Sequence, residues 1–388
     1  MRIGIDARFY GPTGKGIGRY TQELIKNLEE QGQDDYFIFL RQENFDLYQP
    51  QNLHFHKVLA DYPWYSWQEQ VFFPRKLAGY HLDLVHFLHF NVPIFYFGRF
   101  VVTIHDLTHH QTTPQASTRW KPIFYFKKMI YYLIIKNALQ RAEKIITVSN
   151  FIKDSVVKQY KINPKKISVT YEASDMTKEI LKTELEIGNW KLKIKSPYLL
   201  YIGNAYPHKN LEHLIKAFKI VLPKHPEIYL ILVGKIDYFY QNLQKLAKNL
   251  GLDEKIIFLG QVSDEKLAWL YKNGLAYVFP SLSEGFGLPG LEAMKFGLPV
   301  IASKHQPLPE IYGSAALYFD PKNIEEMAAA INQIIENGNL CAELVERGYE
   351  RVKQFSWEKC ARETEEIYKT FPPKADQPRA EKIKNIKI

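Results

Sequence analysis

Apolar runs alternate with helix-like spacing along the first half of the chain. Residues 2–7 form a short apolar run, a glycine-rich stretch follows, and apolar side chains then recur at helical intervals over 17–30. Similar apolar runs follow at 36–40, 53–58, 82–87, 100–104 and 144–148. Because alternating strands and helices build parallel sheets with helices on both faces, this half is predicted to be one doubly wound unit.

The same alternation begins again at residue 198. Strands are predicted at 198–202, 228–233, 255–259, 276–279, 299–302 and 315–319, and helices at 211–222, 238–250 and 264–272. A chain of 388 residues is long enough for two domains. The predicted fold class is therefore α/β with two doubly wound, Rossmann-like domains, 1–175 and 196–355, joined through the polar, lysine-rich segment 173–196.

The end of the chain carries a late helix and a polar tail. Residues 356–371 show helical spacing, and Ser356 occupies the position of an N-cap. Residues 372–388 begin with two prolines and carry five basic residues against two acidic ones. With little apolar periodicity, this tail is predicted to be disordered.

One segment of the second half combines a strand, a glycine turn and the start of a helix. The apolar run 275–279 is the strand, and Pro289 suits a first helical turn because no amide donor is needed there. The backbone amides of 285–288 would then point towards an anion at the helix N-terminus. The segment is typical of a turn that can bind an anion.

Two glutamates, Glu284 and Glu292, border this turn at a spacing of eight residues. Carboxylates accept hydrogen bonds from paired hydroxyl groups, which suits a ribose and a hexose. Together with the turn, they indicate a pocket for a nucleotide-sugar. Alternatively, Glu284 caps the helix and Glu292 is a solvated residue on its surface.

The glycine-rich loop 11–18 matches neither of two familiar nucleotide-binding patterns. Lys15 precedes Gly16, whereas a Walker loop places its lysine after the second glycine, and the spacing of Gly14, Gly16 and Gly18 is not that of a dinucleotide-binding turn. A flexible turn remains, whose small residues let backbone amides approach a phosphate.

Two further side chains lie where strands are predicted to end. His105 follows the strand 100–104 and would face the cleft, because ligands bind at the carboxyl ends of parallel strands. Alternatively, it is a core histidine bonded to Asp106 or to a backbone carbonyl. Lys209 begins the helix after strand 198–202, where a cation opposes the helix dipole, and this placement favours a bound anion. The alternative is an exposed lysine in the first turn.

The chain is basic, with a formal net charge of +9. Charge of this kind fits anionic lipid headgroups, nucleic acid or a diphosphate substrate. Residues 119–144 are predicted to form an amphipathic helix, with seven Lys or Arg against one acidic residue, interleaved with aromatic residues. Residues 62–76 form a second aromatic and basic cluster. Both segments fit an anionic membrane surface, and nucleic acid is not expected. Alternatively, 119–144 packs its apolar side on the sheet while its lysines reach outward.

Several motifs occur in an order that resembles the order in glycosyltransferase family 4, a large family of enzymes that retain the anomeric configuration of the sugar. The main one is P-S-x-x-E-G-F-G-L-P-x-L-E-A-M at 280–294. The others lie at 3–7, 14–20, 105–107, 147–149, 201–203, 208–210 and 297–300. The resemblance covers nearly the whole chain. It implies a GT-B fold, in which two Rossmann-like domains face each other across a cleft, with the helix 356–371 packed back on the N-terminal domain.

The resemblance also implies roles for individual residues. The catalytic residues would be His105, Lys209 and Glu284, and the donor would be bound by Gly14, Gly16, Asn204, His208, Lys209, Gln261, Val262, Glu284, Gly285, Phe286, Gly287, Leu288 and Glu292. In this scheme Glu284 contacts the hexose, Glu292 the ribose, and Lys209 the departing diphosphate. Asn204 and His208 stand where the family often has arginine. Neutralisation of the diphosphate would then rest on Lys209 and the amides, or on a protonated His208.

The implied reaction moves a hexose from a nucleotide-sugar to a glycan or lipid-linked acceptor, in synthesis of cell-surface polysaccharide or glycolipid. GDP-mannose is the first donor expected, because the motifs are similar to mannosyltransferase branches, and UDP-sugars are the alternative. Two other functions stay open: a GT-B epimerase or hydrolase that needs no acceptor, and a non-catalytic nucleotide-sugar-binding protein on a membrane surface.

Composition points to a protein that needs no metal and no cofactor beyond its nucleotide-sugar co-substrate. No Asp-x-Asp pair occurs, and the histidines at 54, 56, 81, 86 and 89 form no convincing ligand set. Cys341 and Cys360 show no disulfide framework. With no signal peptide and no apolar run of eighteen residues, we expect a cytoplasmic protein, peripheral on the inner face of the cell membrane.

Overall fold

The first sheet lies in the N-terminal half of the chain. The computed structural model describes residues 1–11, 15–107, 121–174, 176 and 197–373. In that part, seven parallel strands are arranged in the order β3-β2-β1-β4-β5-β6-β7. Their bounds are β1 Arg2–Asp6, β2 Asp35–Leu40, β3 Phe55–Leu59, β4 Leu84–Phe87, β5 Phe100–Ile104, β6 Lys144–Thr147 and β7 Ile167–Val169. The helices are α1 Lys15–Gln31, α2 Trp67–Ala78, α3 Lys121–Arg141 and α4 Asn150–Tyr160. We call these seven strands, the four helices and the described residues that connect them, up to residue 176, the N lobe.

The second sheet lies in residues 198–319 and has six parallel strands in the order β10-β9-β8-β11-β12-β13. Their bounds are β8 Tyr198–Ile202, β9 Tyr229–Val233, β10 Ile256–Gly260, β11 Ala276–Phe279, β12 Val300–Ser303 and β13 Ala316–Phe319. The helices are α5 Leu211–Val221, α6 Tyr238–Asn249, α7 Asp264–Asn273, α8 Leu288–Lys295, α9 Leu308–Tyr312, α10 Ile324–Glu336 and α11 Gly338–Val352. We call this part the C lobe.

Every strand predicted from the sequence is present, and each bound lies within two residues of its predicted place. The strands carry apolar residues on both faces, because helices cover both sides of each sheet. The pattern did not identify β7, a three-residue strand at the edge of the N-lobe sheet, which is too short for a periodicity to show.

The last helix, α12 at Trp357–Lys369, returns to the N lobe and packs against α1. Ser356 caps it by accepting a hydrogen bond from the Lys359 amide at 3.1 Å. Its Tyr368 hydroxyl lies 2.5 Å from Nδ1 of His86, at the centre of the N-lobe sheet. Helix α12, although it follows the C lobe in sequence, is thereby part of the N lobe. The predicted domain limits stay a prediction, and both the segment 177–196 and the tail 374–388 lie outside the described residues.

Helix α3 differs from the amphipathic helix predicted for this region. Its second half buries Ile134, Ile135 and Leu139 against the N lobe. Its first half instead leaves Tyr125 and Phe126 more than half exposed. Apolar residues therefore lie on the solvent side as well as on the core side. Among the described residues, no helix is long and apolar enough to cross a membrane.

Candidate active site

The Lys209 side chain meets Glu284 at the carboxyl end of the C-lobe sheet. The Lys209 Nζ lies 2.7 Å from Glu284 Oε1, and both side chains are mostly buried. Lys209 ends a short 3₁₀ turn rather than beginning the helix, and the next residue, Asn210, donates its side-chain amide to the carbonyl of Pro280 at 3.1 Å. The alternatives of an exposed first-turn lysine and a helix-capping Glu284 are therefore wrong, since Gly287 is the N-cap.

The glycines after Glu284 are required by close contacts. Gly287 has φ +110°, and its carbonyl accepts a hydrogen bond from the Tyr312 hydroxyl at 2.6 Å. A Cβ on Gly285 would lie 2.0 Å from the carbonyl oxygen of His105. The turn 284–288, which we call the donor loop, therefore lies directly against the N lobe. Its amides precede α8, whose first turn holds Pro289 as predicted.

Glu292 is a buried carboxylate at the interface of the two lobes. Only 5% of it is exposed, so the alternative of a solvated surface residue is wrong. Its Oε2 accepts a hydrogen bond from the Tyr271 hydroxyl at 2.8 Å, and Arg19 of the N lobe lies 3.6 Å from Oε1. Burial, and then the Glu292 charge, raises the pKa of Tyr271 well above its ordinary value, which keeps that hydroxyl a donor.

Both ring nitrogens of His105 have partners inside the N lobe. Nδ1 lies 3.0 Å from Glu172 Oε1, and Nε2 lies 2.9 Å from the carbonyl oxygen of Leu88. The ring also rests edge-on against Tyr20, with centroids 4.5 Å apart. The bonded histidine considered from the sequence is thus present, although its acid partner is Glu172 and not Asp106. The His105 backbone, through its carbonyl, faces the donor loop.

The remaining predicted donor residues come from both lobes. Asn204 accepts a hydrogen bond from the Tyr206 amide at 3.3 Å, and the His208 carbonyl accepts one from the Leu282 amide at 2.7 Å. Phe286 is buried, Leu288 and Val262 are half-buried, Gln261 is exposed, and Gly16 has open space around its Cβ position. Gly14 lies outside the described residues. Within the described ranges no group of three or more His, Cys, Asp or Glu is arranged around a metal position.

Family models match both lobes. The model described as "Glycosyltransferase Family 4" matches residues 14–178, and "Glycosyl transferases group 1" matches residues 183–351. The chain belongs to glycosyltransferase family 4. It is therefore a glycosyltransferase, as the motif order implied.

Individual family 4 relatives cover most of the chain. O-antigen chain mannosyltransferase B of Escherichia coli is 29% identical over 91% of this chain and 96% of its own. O-antigen chain mannosyltransferase RfbU of Salmonella typhimurium is 32% identical over 60% of this chain and 62% of its own. The crystal structure of Anabaena HepE with UDP-glucose aligns with TM-score 0.71 and 17% identity, over 95% of this chain and 99% of that one. The predicted GT-B fold is confirmed.

Several residues that support this family 4 site had no signal in the sequence. Tyr271 holds Glu292, Glu172 holds His105, and Tyr312 holds the donor loop. Each acts on a predicted residue from a distant part of the chain, with no spacing that would mark it. Arg19 falls within the motif at 14–20, but its position beside Glu292 depends on how the two lobes meet.

Proposed function

We propose that the protein transfers mannose from GDP-mannose to a glycan or lipid-linked acceptor, with retention of configuration and without a metal ion. The observation that carries this proposal is the Lys209–Glu284 pair at the donor loop, 2.7 Å apart and beside amides that precede α8. Two relatives that are named as O-antigen mannosyltransferases support mannose as the sugar and a polysaccharide as the product. UDP-sugars form the second donor class to assay.

The proposed chemistry rests on stabilising the departing diphosphate. Lys209 has three donor hydrogens, so it can bind Glu284 and a phosphate oxygen together. The acceptor hydroxyl attacks the anomeric carbon on the face from which the diphosphate leaves. The leaving phosphate oxygen takes the proton of that hydroxyl. Glu284 binds the hexose, and Glu292 binds the ribose.

Arg19 offers a second cation for the same diphosphate. Its guanidinium group lies 3.6 Å from Glu292 and belongs to the helix that follows the glycine loop. This placement supports neutralisation from the N-lobe side, because in the C lobe Asn204 and His208 stand where the family often has arginine. Binding of a donor would then draw both lobes onto one ligand.

A lipid-linked acceptor is supported by an exposed apolar face on the N lobe. Three segments adjoin there: the Ile94 amide donates to Gln70 of α2 at 2.8 Å, and Arg141 of α3 donates to the Ile94 carbonyl at 2.8 Å. We use the name aromatic face for the exposed apolar side chains of these three segments, namely Trp67, Phe72, Ile94, Phe95, Phe97, Tyr125, Phe126, Met129, Ile130 and Leu133.

We propose that the aromatic face binds an anionic membrane surface. Helix α3 has five basic residues and no acidic one, which gives the face charge complementary to anionic headgroups. Phe97 is 82% exposed beside Arg141, a pairing suited to the interface of a bilayer. The proposal thus includes the loop 94–97 beside the segments 62–76 and 119–144.

The donor proposal is tested by turnover and by nucleotide binding. Purified protein is incubated with GDP-mannose or UDP-sugars, with and without lipid-linked glycan and with EDTA. Turnover that needs acceptor supports a transferase, whereas equal turnover of donor alone would support the hydrolase or epimerase. Glu292→Ala should weaken binding of the preferred nucleotide by about 10-fold or more, because the ribose loses its acceptor. Unchanged affinity would contradict the role of Glu292.

The membrane proposal is tested by flotation with vesicles. The chain should float with phosphatidylcholine vesicles that contain phosphatidylglycerol and not with phosphatidylcholine alone. Phe97→Ser and Leu133→Ser should reduce flotation, whereas Tyr238→Ser, at an exposed C-lobe aromatic, is the matched control. Concentration-dependent self-association without flotation would assign the aromatic face to a second copy of the chain instead.

A further inference from the structure

Glu310 of the C lobe binds the N-terminus of helix α4 in the N lobe. Its Oε1 accepts hydrogen bonds from the Asn150 amide at 2.6 Å and from the Tyr171 hydroxyl at 3.0 Å. Its Oε2 accepts one from the Phe151 amide at 2.9 Å. The Asn150 side chain adds a further contact to Oε1 at 3.2 Å. One carboxylate therefore receives four hydrogen bonds from the N lobe, three from Asn150 and Phe151 and one from Tyr171.

Glu310 accepts hydrogen bonds from backbone amides of α4 that have no acceptor within the helix. Ser149, its N-cap, accepts the Ile152 amide at 3.3 Å, but the two preceding amides, of Asn150 and Phe151, have Glu310 as their acceptor. An anion at this end of a helix is also favoured by the helix dipole. The Asn150 and Phe151 amides need a hydrogen-bond acceptor at this helix end, and the Glu310 carboxylate provides it.

Glu310 lies on the same five-residue helix, α9, that supports the donor loop. Two residues further on, the Tyr312 hydroxyl donates to the Gly287 carbonyl at 2.6 Å. Arg351 donates to the Ile311 carbonyl at 2.7 Å and fixes the helix to α11. Ser149 adds a direct link, because its hydroxyl donates to the Gly285 carbonyl at 2.9 Å. The N-terminus of α4 and the donor loop are therefore held by one short, anchored element.

We infer that Glu310 is a positioning residue for glycosyl transfer. By accepting hydrogen bonds from the N-terminus of α4, Glu310 sets the distance between the donor loop and the N-lobe residues across the cleft. The acceptor would bind there. The inference rests on the proposed function. Donor contacts come mainly from the C lobe, so loss of Glu310 should spare nucleotide affinity and slow the chemical step. A displacement of about 1 Å between reacting groups can cost about 100-fold in rate.

Glu310→Ala and Glu310→Gln test this inference. Glutamine keeps the shape but places an NH₂ group against one of the α4 amides, so both variants should behave alike. We expect kcat to fall about 10-fold to 100-fold, with binding of GDP and UDP within about 3-fold of the wild type. Glu343→Gln, at an exposed glutamate on α11, is the matched control.

A readout at the contact itself separates positioning from general damage. In hydrogen exchange, the amides of the first turn of α4 should lose protection in both variants, while α8 and α11 keep theirs. Tyr171→Phe removes one of the four hydrogen bonds and should lower kcat less, without adding to Glu310→Ala in the double variant. Equal loss of nucleotide affinity and rate, or an unchanged kcat, would overturn the inference.

Hydrogen exchange and the turnover of nucleotide-sugar also distinguish failure of the positioning role from failure of the proposed function. If the wild type turns over no nucleotide-sugar, the proposed function fails, whatever the exchange result. If the wild type is active and α4 keeps its protection without Glu310, the positioning role fails alone.

Discussion

The two lobes share one architecture but use their charged residues in opposite ways. Among the described residues, the N lobe buries Asp6, Arg8, Glu69, Asp83 and Glu172, whereas the C lobe, over 197–355, buries only Glu292. The described surfaces differ too, since fifteen of the twenty large apolar residues that are exposed in the described part of the chain lie in the N lobe. Residues 1–175 carry 22 Lys and Arg against 16 Asp and Glu, while residues 196–355 carry 16 against 17.

This contrast shows when burial of a charge indicates function. In the N lobe a buried charge usually belongs to a closed cluster, such as Arg8 between Asp6 and Glu69, and holds the fold. In the C lobe the single buried carboxylate, Glu292, faces the cleft and the cation of the other lobe. Burial alone therefore does not separate the two cases: what distinguishes Glu292 from the Arg8 cluster is that its charged neighbour lies in the other lobe.

The largest effect is expected from breaking the N-lobe cluster. Arg8 forms two bonds to Asp6, at 2.7 and 2.8 Å, and one to Glu69 at 2.7 Å. Burial alone would lower the pKa of Arg8, but the two carboxylates raise it above its ordinary value. Arg8→Met leaves both carboxylates buried without their cation. The free energy of unfolding in urea should fall by about 3–5 kcal/mol.

The C lobe supplies the control for that measurement. Arg347 forms an exposed ion pair with Glu343 on α11, and Arg347→Met should cost less than about 1 kcal/mol. Replacing the whole N-lobe cluster with apolar residues should restore much of the stability lost in Arg8→Met. Similar losses for Arg8→Met and Arg347→Met would remove the contrast between the lobes.

The next largest effect should appear in activity rather than in stability. Lys209→Met removes the cation at the donor loop, and we expect kcat to fall about 100-fold to 1,000-fold. Lys304→Met, at a C-lobe surface pair with Asp320, should leave kcat near that of the wild type. Steady-state assays with saturating donor measure both. A Lys209→Met enzyme with more than about a tenth of wild-type kcat would exclude Lys209 from leaving-group stabilisation.

The sequence predicted the strands and the main donor motif because both are local. Apolar runs predicted every strand except β7 to within two residues, and the segment 280–294 carried its own turn and helix signals. The contacts of Glu310, Tyr271 and Glu172 could not be predicted, because each depends on how distant segments pack. The expected amphipathic pattern of α3 was wrong, because its first half has apolar residues on the solvent side.

The smallest effect concerns His86, a fully buried N-lobe histidine between Tyr368 and Thr103. Burial, with a smaller contribution from His105, lowers the pKa of His86 to about 3. In the unfolded chain the pKa of a histidine is about 6.5, so between about pH 3 and about pH 6.5 the unfolded chain binds more protons than the folded one. The free energy of unfolding therefore decreases as the pH falls below about 6.5. The loss at about pH 5 should be about 2 kcal/mol relative to about pH 7.5.

His86→Gln should remove that part of the pH dependence, whatever it does to stability at neutral pH. Urea unfolding at both pH values gives the difference directly, and it should be about 2 kcal/mol smaller in the variant. The same pair of measurements on His305→Gln, at an exposed C-lobe histidine, controls for replacing any histidine. An unchanged difference in His86→Gln would mean that the acid sensitivity of the protein lies outside the contact between α12 and the N-lobe sheet.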